Sequence, residues 1–209
     1  AIALSPDGNH LFSASHDNTI KLWNIDTGAC IRTFTGHSHR VQSIAVARAG
    51  DVLLSGSTDK TVKLWNVKTG VCIRTFSEHT NGVTHVAVSK DGTLAASGDM
   101  HNNLKIWTVA TGKCVLTYPT RTLTLLPLEF FPDGKRLLFG NAKASLSILD
   151  IPTGKIVKTL VGHQESLGGP CGYIYDVDIS PDGRYALSGS TTMKLWDLNT
   201  GDCLHTFKG

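Results

Sequence analysis

Thr-Gly recurs at Thr27-Gly28, Thr69-Gly70, Thr111-Gly112, Thr153-Gly154 and Thr200-Gly201, at steps of 42, 42, 42 and 47 residues. A slot before the pair keeps the same beat, at Trp23, Trp65, Trp107, Leu149 and Trp196. So does a slot after it, at Phe34, Phe76, Tyr118, Leu160 and Phe207. Self-similarity at this period marks an array of one supersecondary unit, each copy too small to bury its own apolar face. The constraint reaches function, because arrays of this kind usually present a surface to partners and carry no reaction chemistry of their own.

No segment between copies reads as a linker, so the 209 residues form one domain. A hydrophobic content of 41% with 18% charge suits a chain that buries a sizeable core. A net charge of +3 is too small to indicate a nucleic-acid binder by itself. No apolar run approaches the roughly 18 residues of a membrane span, and no charged-then-apolar leader is visible. Cys30, Cys72, Cys114 and Cys203 take one repeat slot each, with Ile156 there in copy four. That slot is expected to be a buried small hydrophobe, while Cys171 sits in an insertion. With no Cys-x-x-Cys spacing, no metal site is expected, and the pattern suits a reducing, cytoplasmic setting.

Copy two gives the clearest local pattern. Val41–Ala47, Val52–Ser57, Thr61–Val67 and Val71–Phe76 read as short strands, separated by turn signals at Ala49-Gly50-Asp51, Thr58-Asp59-Lys60 and Lys68-Thr69-Gly70. Elsewhere the first turn is spelled Ser5-Pro6-Asp7-Gly8, Phe131-Pro132-Asp133-Gly134 and Ser180-Pro181-Asp182-Gly183, with Ser89-Lys90-Asp91-Gly92 as a variant. Pro presets φ, Asp bonds the backbone and Gly takes φ > 0. No helical period persists. The unit is therefore a four-stranded antiparallel meander, and radial repetition of it gives an all-β propeller.

The motifs add a family resemblance. Gly36-His37, Ser55-Gly56-Ser57-Thr58-Asp59 and Trp65 resemble the WD40 repeat signature, and copy five carries Gly162-His163 with a literal Trp196-Asp197. The resemblance covers residues 1–209 as repeats of about 1–35, 36–77, 78–119, 120–161 and 162–209. It implies a β-propeller of four-stranded blades, with about seven in a closed ring. The chain is therefore expected to be a piece of a longer protein with neighbouring blades on both sides.

In copy two the resemblance brings together Asp59, His37, Ser55 and Trp65. Asp, His and Ser are also the ingredients of a hydrolase triad. In a WD40 blade, however, the hydrogen-bonded chain runs on from Ser to the indole N–H, so the serine is a wall element. No Gly-x-Ser-x-Gly elbow accompanies it, and no catalytic residue is assigned. The other copies hold the set unevenly. Copy one has Asp17, Ser13 and Trp23; copy three has His79, Ser97 and Trp107, with His101 in the Asp slot. Copy five has His163, Ser188 and Trp196 but a second turn two residues short and without the Asp. Copy four has Lys143, Phe139 and Leu149 in these slots, and is expected to rely on apolar packing through Leu125, Leu128, Phe130, Leu137 and Ile148.

The resemblance also implies a protein or peptide partner at the narrow face, built from the loops before the first strand and between the second and third. Slot by slot, that face takes His16, Arg40, Gln42, Thr58, Thr84, Met100, Tyr173 and Tyr175, with Gly82, Thr124 and Leu126 beside them. The insertion Gln164–Gly172 lands on the same rim, and Tyr and Arg are favoured interface anchors. Lys21, Lys63, Lys105 and Lys194 repeat before the tryptophans; a solvated outward face explains them better than a nucleic-acid stripe, since interleaved aromatics for base stacking are missing. The expected function is a non-catalytic scaffold or sensor domain for protein–protein interaction, without cofactor and without membrane. The alternatives are a hydrolase with a central-channel site and a nucleic-acid-binding propeller, the latter disfavoured by the weak charge.

Overall fold

The computed structural model describes residues 1–47, 49–101, 103–119, 127–141, 144–163 and 174–207. These form twenty strands in five four-stranded antiparallel sheets, with no helix among the described residues. The first blade holds β1 (Ile2–Leu4), β2 (His10–Ala14), β3 (Ile20–Asn24) and β4 (Cys30–Phe34). The second holds β5 (Val41–Val46), β6 (Val52–Ser57), β7 (Val62–Asn66) and β8 (Cys72–Phe76). The third holds β9 (Val83–Val88), β10 (Leu94–Asp99), β11 (Asn103–Thr108) and β12 (Cys114–Pro119). The fourth holds β13 (Leu128–Phe130), β14 (Arg136–Asn141), β15 (Ser145–Asp150) and β16 (Lys155–Val161), and the fifth β17 (Asp176–Ile179), β18 (Tyr185–Gly189), β19 (Met193–Asp197) and β20 (Cys203–Phe207). Every sheet is a meander in chain order, as the turn signals require.

Two side-chain-closed turns set the registers. In the first, Gly8 N donates to Ser5 O at 2.9 Å, Asn9 N to Asp7 Oδ1 at 3.0 Å and His10 N to Ser5 Oγ at 2.9 Å. The Ser89-Lys90-Asp91-Gly92 variant makes the same three bonds at 2.8, 3.0 and 2.9 Å, so Ser, Asp and Gly suffice and Pro only pre-organises the turn. The second turn follows the tryptophan slot. Asn24 and Asn66 accept from the Thr27 and Thr69 amides at 2.8 Å, and Asp150 and Asp197 accept from Thr153 and Thr200 at 3.1 and 3.2 Å. Asn and Asp are interchangeable here because the backbone amide needs only a short side-chain oxygen, which explains Trp-Asn beside Trp-Asp. The glycine that closes this turn has φ between +67° and +91° in all five copies, a conformation that a Cβ disfavours.

A register shift precedes the tryptophan slot in every blade, between Leu64 and Trp65 for example. Such a bulge re-aims the following side chain. It turns Trp65, Trp107 and Trp196 fully inward. The residue opposite is the repeated cysteine, Cys72 across from Trp65. The expectation of buried cysteines is corrected here. Cys30 and Cys203 are exposed, and Cys72 and Cys114 half-buried, because the slot lies on each blade's outermost strand. The lysine expectation is also corrected. Lys21, Lys63, Lys105 and Lys194 are half-buried on the third strand, an interior one. Lys63, Lys105 and Lys194 tie to Thr75, Thr117 and Thr206 at 2.9, 3.1 and 2.6 Å, and Lys21 and Lys105 lie 5.7 Å from the rings of Trp23 and Trp107.

The core sits between blades, as sheets with apolar faces on both sides demand. Phe12, Leu22 and Phe34 of the first blade pack on Ile44, Leu53 and Trp65 of the second. Leu54, Leu64 and Phe76 meet Val83, Val86 and Trp107 across the next interface. A Cβ on Gly56 would come within 2.6 Å of Val83 Cγ1, so the second and third blades approach too closely for a side chain there. Polar staples join blades at the outer turns. Arg32 Nη1 donates to Thr69 O at 3.0 Å and Arg74 Nη1 to Thr111 O at 2.9 Å, and Lys158 Nζ reaches the Asn199 carbonyl. The fourth blade, without the polar set, has Leu128, Phe130, Leu137, Phe139 and Leu149 in one buried cluster and Ile148 on the opposite face, in keeping with apolar packing; Leu125 and Lys143 lie outside the described residues.

Candidate functional site

In the second blade, four side chains from two strands and two connecting segments form one hydrogen-bonded wall. Asp59, in the β6–β7 turn, bonds His37 Nδ1 at 2.7 Å. His37 Nε2 lies 2.7 Å from Ser55 Oγ, and Trp65 Nε1 donates to the same oxygen at 2.8 Å. Burial opposes the Asp59 charge, but bonds from Thr61 and His37 outweigh it and bring the carboxyl to about 2. Burial dominates at His37 and lowers its basicity despite the Asp59 carboxylate. The consistent protonation is therefore Asp⁻ with a neutral imidazole whose Nδ1–H faces the acid, leaving Nε2 to accept from the serine hydroxyl. Ser55 is fully buried and shares its oxygen with the indole, so this geometry closes a wall and offers substrate no approach.

The third blade carries the same wall, with a different acid from the one the sequence suggests. His79 Nδ1 bonds Asp99 Oδ2 at 3.0 Å, His79 Nε2 bonds Ser97 Oγ at 2.7 Å, and Trp107 Nε1 donates to Ser97 at 2.8 Å. His101 does not fill the acid role. It sits in the turn, and its backbone N–H donates to Asp99 Oδ1 at 3.0 Å. Asp99 ends β10, two residues before the expected slot, and reaches back because Asn103 closes the turn around it. The legible signal was an Asp directly after Ser97-Gly98.

The fifth blade keeps His163 Nε2–Ser188 Oγ at 2.6 Å and Trp196 Nε1–Ser188 Oγ at 2.8 Å. With no Asp in its short turn, buried His163 Nδ1 has no partner among the described residues, and burial together with Lys194 lowers its pKa to about 4. In the first blade Trp23 donates to Ser13 at 2.8 Å, while Asp17 binds Thr19.

These walls hold the loops that form the rim. Val41 N donates to Ser15 O at 3.1 Å, linking the loop of His16 to the start of β5. Thr58 N donates to Arg40 O at 3.0 Å, and Met100 N to Gly82 O at 2.9 Å. A Cβ on Gly82 would lie 3.1 Å from Thr58 Cα and 3.4 Å from Met100 Sδ, so the second and third blades abut there. His16, Arg40 and Met100 are exposed on this continuous strip, and Thr58 is half-exposed. Thr84 is not on the surface: it is buried and donates to Gly98 O at 3.2 Å, because its slot points between strands. Tyr175 is exposed, with its N–H bonded to Gly189 O at 2.8 Å. Tyr173, Thr124, Leu126, Cys171 and the insertion lie outside the described residues.

Gln42 and Tyr175 also line a channel of about 820 Å³ flanked by the first strand of all five blades. Glu129, Asp176, Asp178 and His85 face it. Burial, then Asp178 and Asp176, push Glu129 up to about 7. Burial lowers His85 against the opposing pull of Asp176 and a backbone bond to Tyr175. The sequence reading missed this convergence. Its signal lay in one slot of the repeat, which is Ala3, Ala45 and Ala87 in the first three blades and Glu129 and Asp178 in the last two. Among the described residues, no group of three or more His, Cys, Asp or Glu is placed to hold a metal, and no helix is long and apolar enough to cross a membrane.

Radially stacked four-stranded meanders with Trp–Ser–His–Asp walls define a β-propeller of repeat type. The chain belongs to the WD40 family: the family profile (WD domain, G-beta repeat) matches residues 1–24, 28–66, 70–108 and 154–197. Short segments are similar to curated proteins. A 44-residue stretch is 48% identical to the probable E3 ubiquitin ligase complex SCF subunit sconB of Aspergillus clavatus, covering 21% of this chain and 6% of that protein. The corresponding protein of Arthroderma otae is 43% identical over 44 residues, with the same coverage. Human striatin is 40% identical over 42 residues, 20% of this chain and 5% of striatin.

Proposed function

We propose that this chain is a non-catalytic WD40 scaffold that binds a protein or peptide partner on its narrow rim. The observation that carries the reading is the continuous strip His16–Arg40–Thr58–Met100, held across three blades by backbone bonds and by the close approach at Gly82. A rigid strip with an exposed arginine, methionine and, beyond it, Tyr175 has the composition that interfaces favour. The name of one similar protein, a probable ubiquitin ligase complex subunit, agrees with a role in assemblies. Enclosure of Ser55 by His37 and Trp65 argues against the hydrolase alternative. Carboxylates at Asp176, Asp178 and Glu129 make the channel a poor host for phosphates, which argues against nucleic acid.

The test is capture of partners by immobilised chain. Arg40→Ala, Met100→Ala and Tyr175→Ala together should abolish selective capture with the melting temperature unchanged. Lys68→Ala on the opposite turns should not. Equal loss in both variants, or none in the first, removes the rim as the site.

A further inference from the structure

The turns between first and second strands lie at the end of the blades opposite the rim. There, one blade's turn faces the next blade, and three of the four interfaces fill the space from within. Val52 and Val109 pack on one buried cluster between the second and third blades, and Leu94 and Ile151 on another between the third and fourth. Between the fourth and fifth, Phe131 supplies a ring from the turn itself, fully buried in one cluster with Leu138, Ile148 and Leu198. Arg136 caps that ring, its Cζ 4.2 Å from the centroid, and Asp133 holds the guanidinium at 2.8 Å. The first interface has neither device. Ser5 N donates to His10 O just as Phe131 N donates to Arg136 O, each at 2.9 Å. Ser5 therefore stands in the slot of Phe131, and His10 in the slot of Val52, Leu94 and Arg136. Ser5 Oγ turns back to accept from His10 N, so no apolar side chain enters the space. A pocket of about 490 Å³ is left, with Phe12, Leu22 and Val67 in its wall and Ser5, His10 and Gly50 around them. Asp7, exposed beside it, lies 3.6 Å from His10 Nδ1.

We propose that this pocket seats an aromatic side chain of a peptide partner. The fourth blade is the internal template. It shows that the space takes a phenyl ring delivered by a peptide turn, with the residue in the His10 slot over the ring and the residue in the Asp7 slot holding it. His10 and Asp7 repeat that pairing, with an imidazole in place of the guanidinium. The wall is preformed, because Phe12 and Leu22 are packed in the core between the first two blades, so a ring displaces water and no protein group. A ring is favoured over an aliphatic chain because it offers a π face to the imidazole. An anion is a poor occupant, since the Asp7 carboxylate stands beside the pocket. The site is separate from the rim, at the other end of the meander, and does not rest on partner binding there.

The experiment titrates the isotope-labelled chain with N-acetyl-phenylalanine amide and reads amide shifts by NMR, with N-acetyl-leucine amide and p-cresol as separate probes. The phenylalanine probe should move the amides of His10, Gly50 and Val67, saturating in the millimolar range that burial of one ring supports. The leucine probe should bind about threefold to tenfold more weakly. Ser5→Phe copies the filling of the fourth blade and His10→Leu that of the third, so each should abolish these shifts while the amides of the other blades stay in place. Absence of shifts at these three amides overturns the proposal, as does equal binding of the leucine probe or persistence of the shifts in both variants. Binding of p-cresol without the phenylalanine probe also overturns it, because the pocket then takes a free ring and no peptide side chain.

Discussion

Asp99→Ala removes the acid of the third blade's wall. The carboxylate is fully buried and accepts from His79 Nδ1, His101 N and Asn103 N at 3.0 Å and from Asn103 Nδ2 at 3.1 Å. Each buried donor left unsatisfied costs about 1–3 kcal/mol. Relaxation of the turn lets some of them find water, which puts the total at about 3–5 kcal/mol, the range for breaking a buried pair. His101→Ala removes an exposed side chain that makes no side-chain bond to the wall, and should stay within about 0.5 kcal/mol. Urea unfolding followed by tryptophan fluorescence reads both, since Trp107 packs edge-on to His79 at 5.9 Å. At a slope of about 2 kcal/mol per molar, Asp99→Ala lowers the midpoint by roughly 2 M. A loss below about 1 kcal/mol, or an equal loss from His101→Ala, would refute the assignment of Asp99 as the acid of this wall.

Other consequences are as direct. Glu129 has its carboxyl raised from 4.5 to about 7, so its contribution is complete below pH 4.5 and is lost as pH rises from there through about 7, levelling off above; Glu129→Gln should flatten that decline between pH 4.5 and 7 in a melting-temperature profile. His163 is lowered from 6.5 to about 4, so its contribution is complete above pH 6.5 and fades as pH drops towards 4, and proton titration by NMR should place the imidazole well below an exposed histidine. Leu149→Ala, in the blade that lacks the polar wall, should cost about 2–5 kcal/mol in the same urea assay. Arg74→Ala should speed exchange in the turn at Thr111-Gly112, whose carbonyls it holds, and leave the Thr27-Gly28 turn unchanged.

The period and the turn chemistry made the architecture legible. Each Thr-Gly glycine and each Ser-x-Asp-Gly turn acts within a few residues, so the meander and its registers could be read locally. Strand bounds in blade two moved by a residue at most, from Thr61–Val67 to Val62–Asn66 for instance. The wall of Asp59, His37, Ser55 and Trp65 was legible only through the WD40 resemblance, whose motif those four residues match in copy two. Asp99 was not, since the turn after Ser97 changes length and the acid acts from a different slot. The cysteines misled because alternation within a strand does not reveal that the strand is outermost. The channel charges were hidden for a related reason: Glu129, Asp176 and His85 come from three copies and meet only once the blades are fanned about one axis.

That fanning is best tested by disulfide trapping at the rim. In a cysteine-free background, Thr58→Cys paired with Gly82→Cys joins positions that abut across the second and third blades, where a Cβ on Gly82 would lie 3.1 Å from Thr58 Cα. Thr58→Cys paired with Ser190→Cys joins blades that are not neighbours. The first pair should oxidise rapidly and nearly completely, with the fold retained and the second pair inert. Failure of the first pair, or equal bonding in the second, would contradict a rim built by adjacent blades.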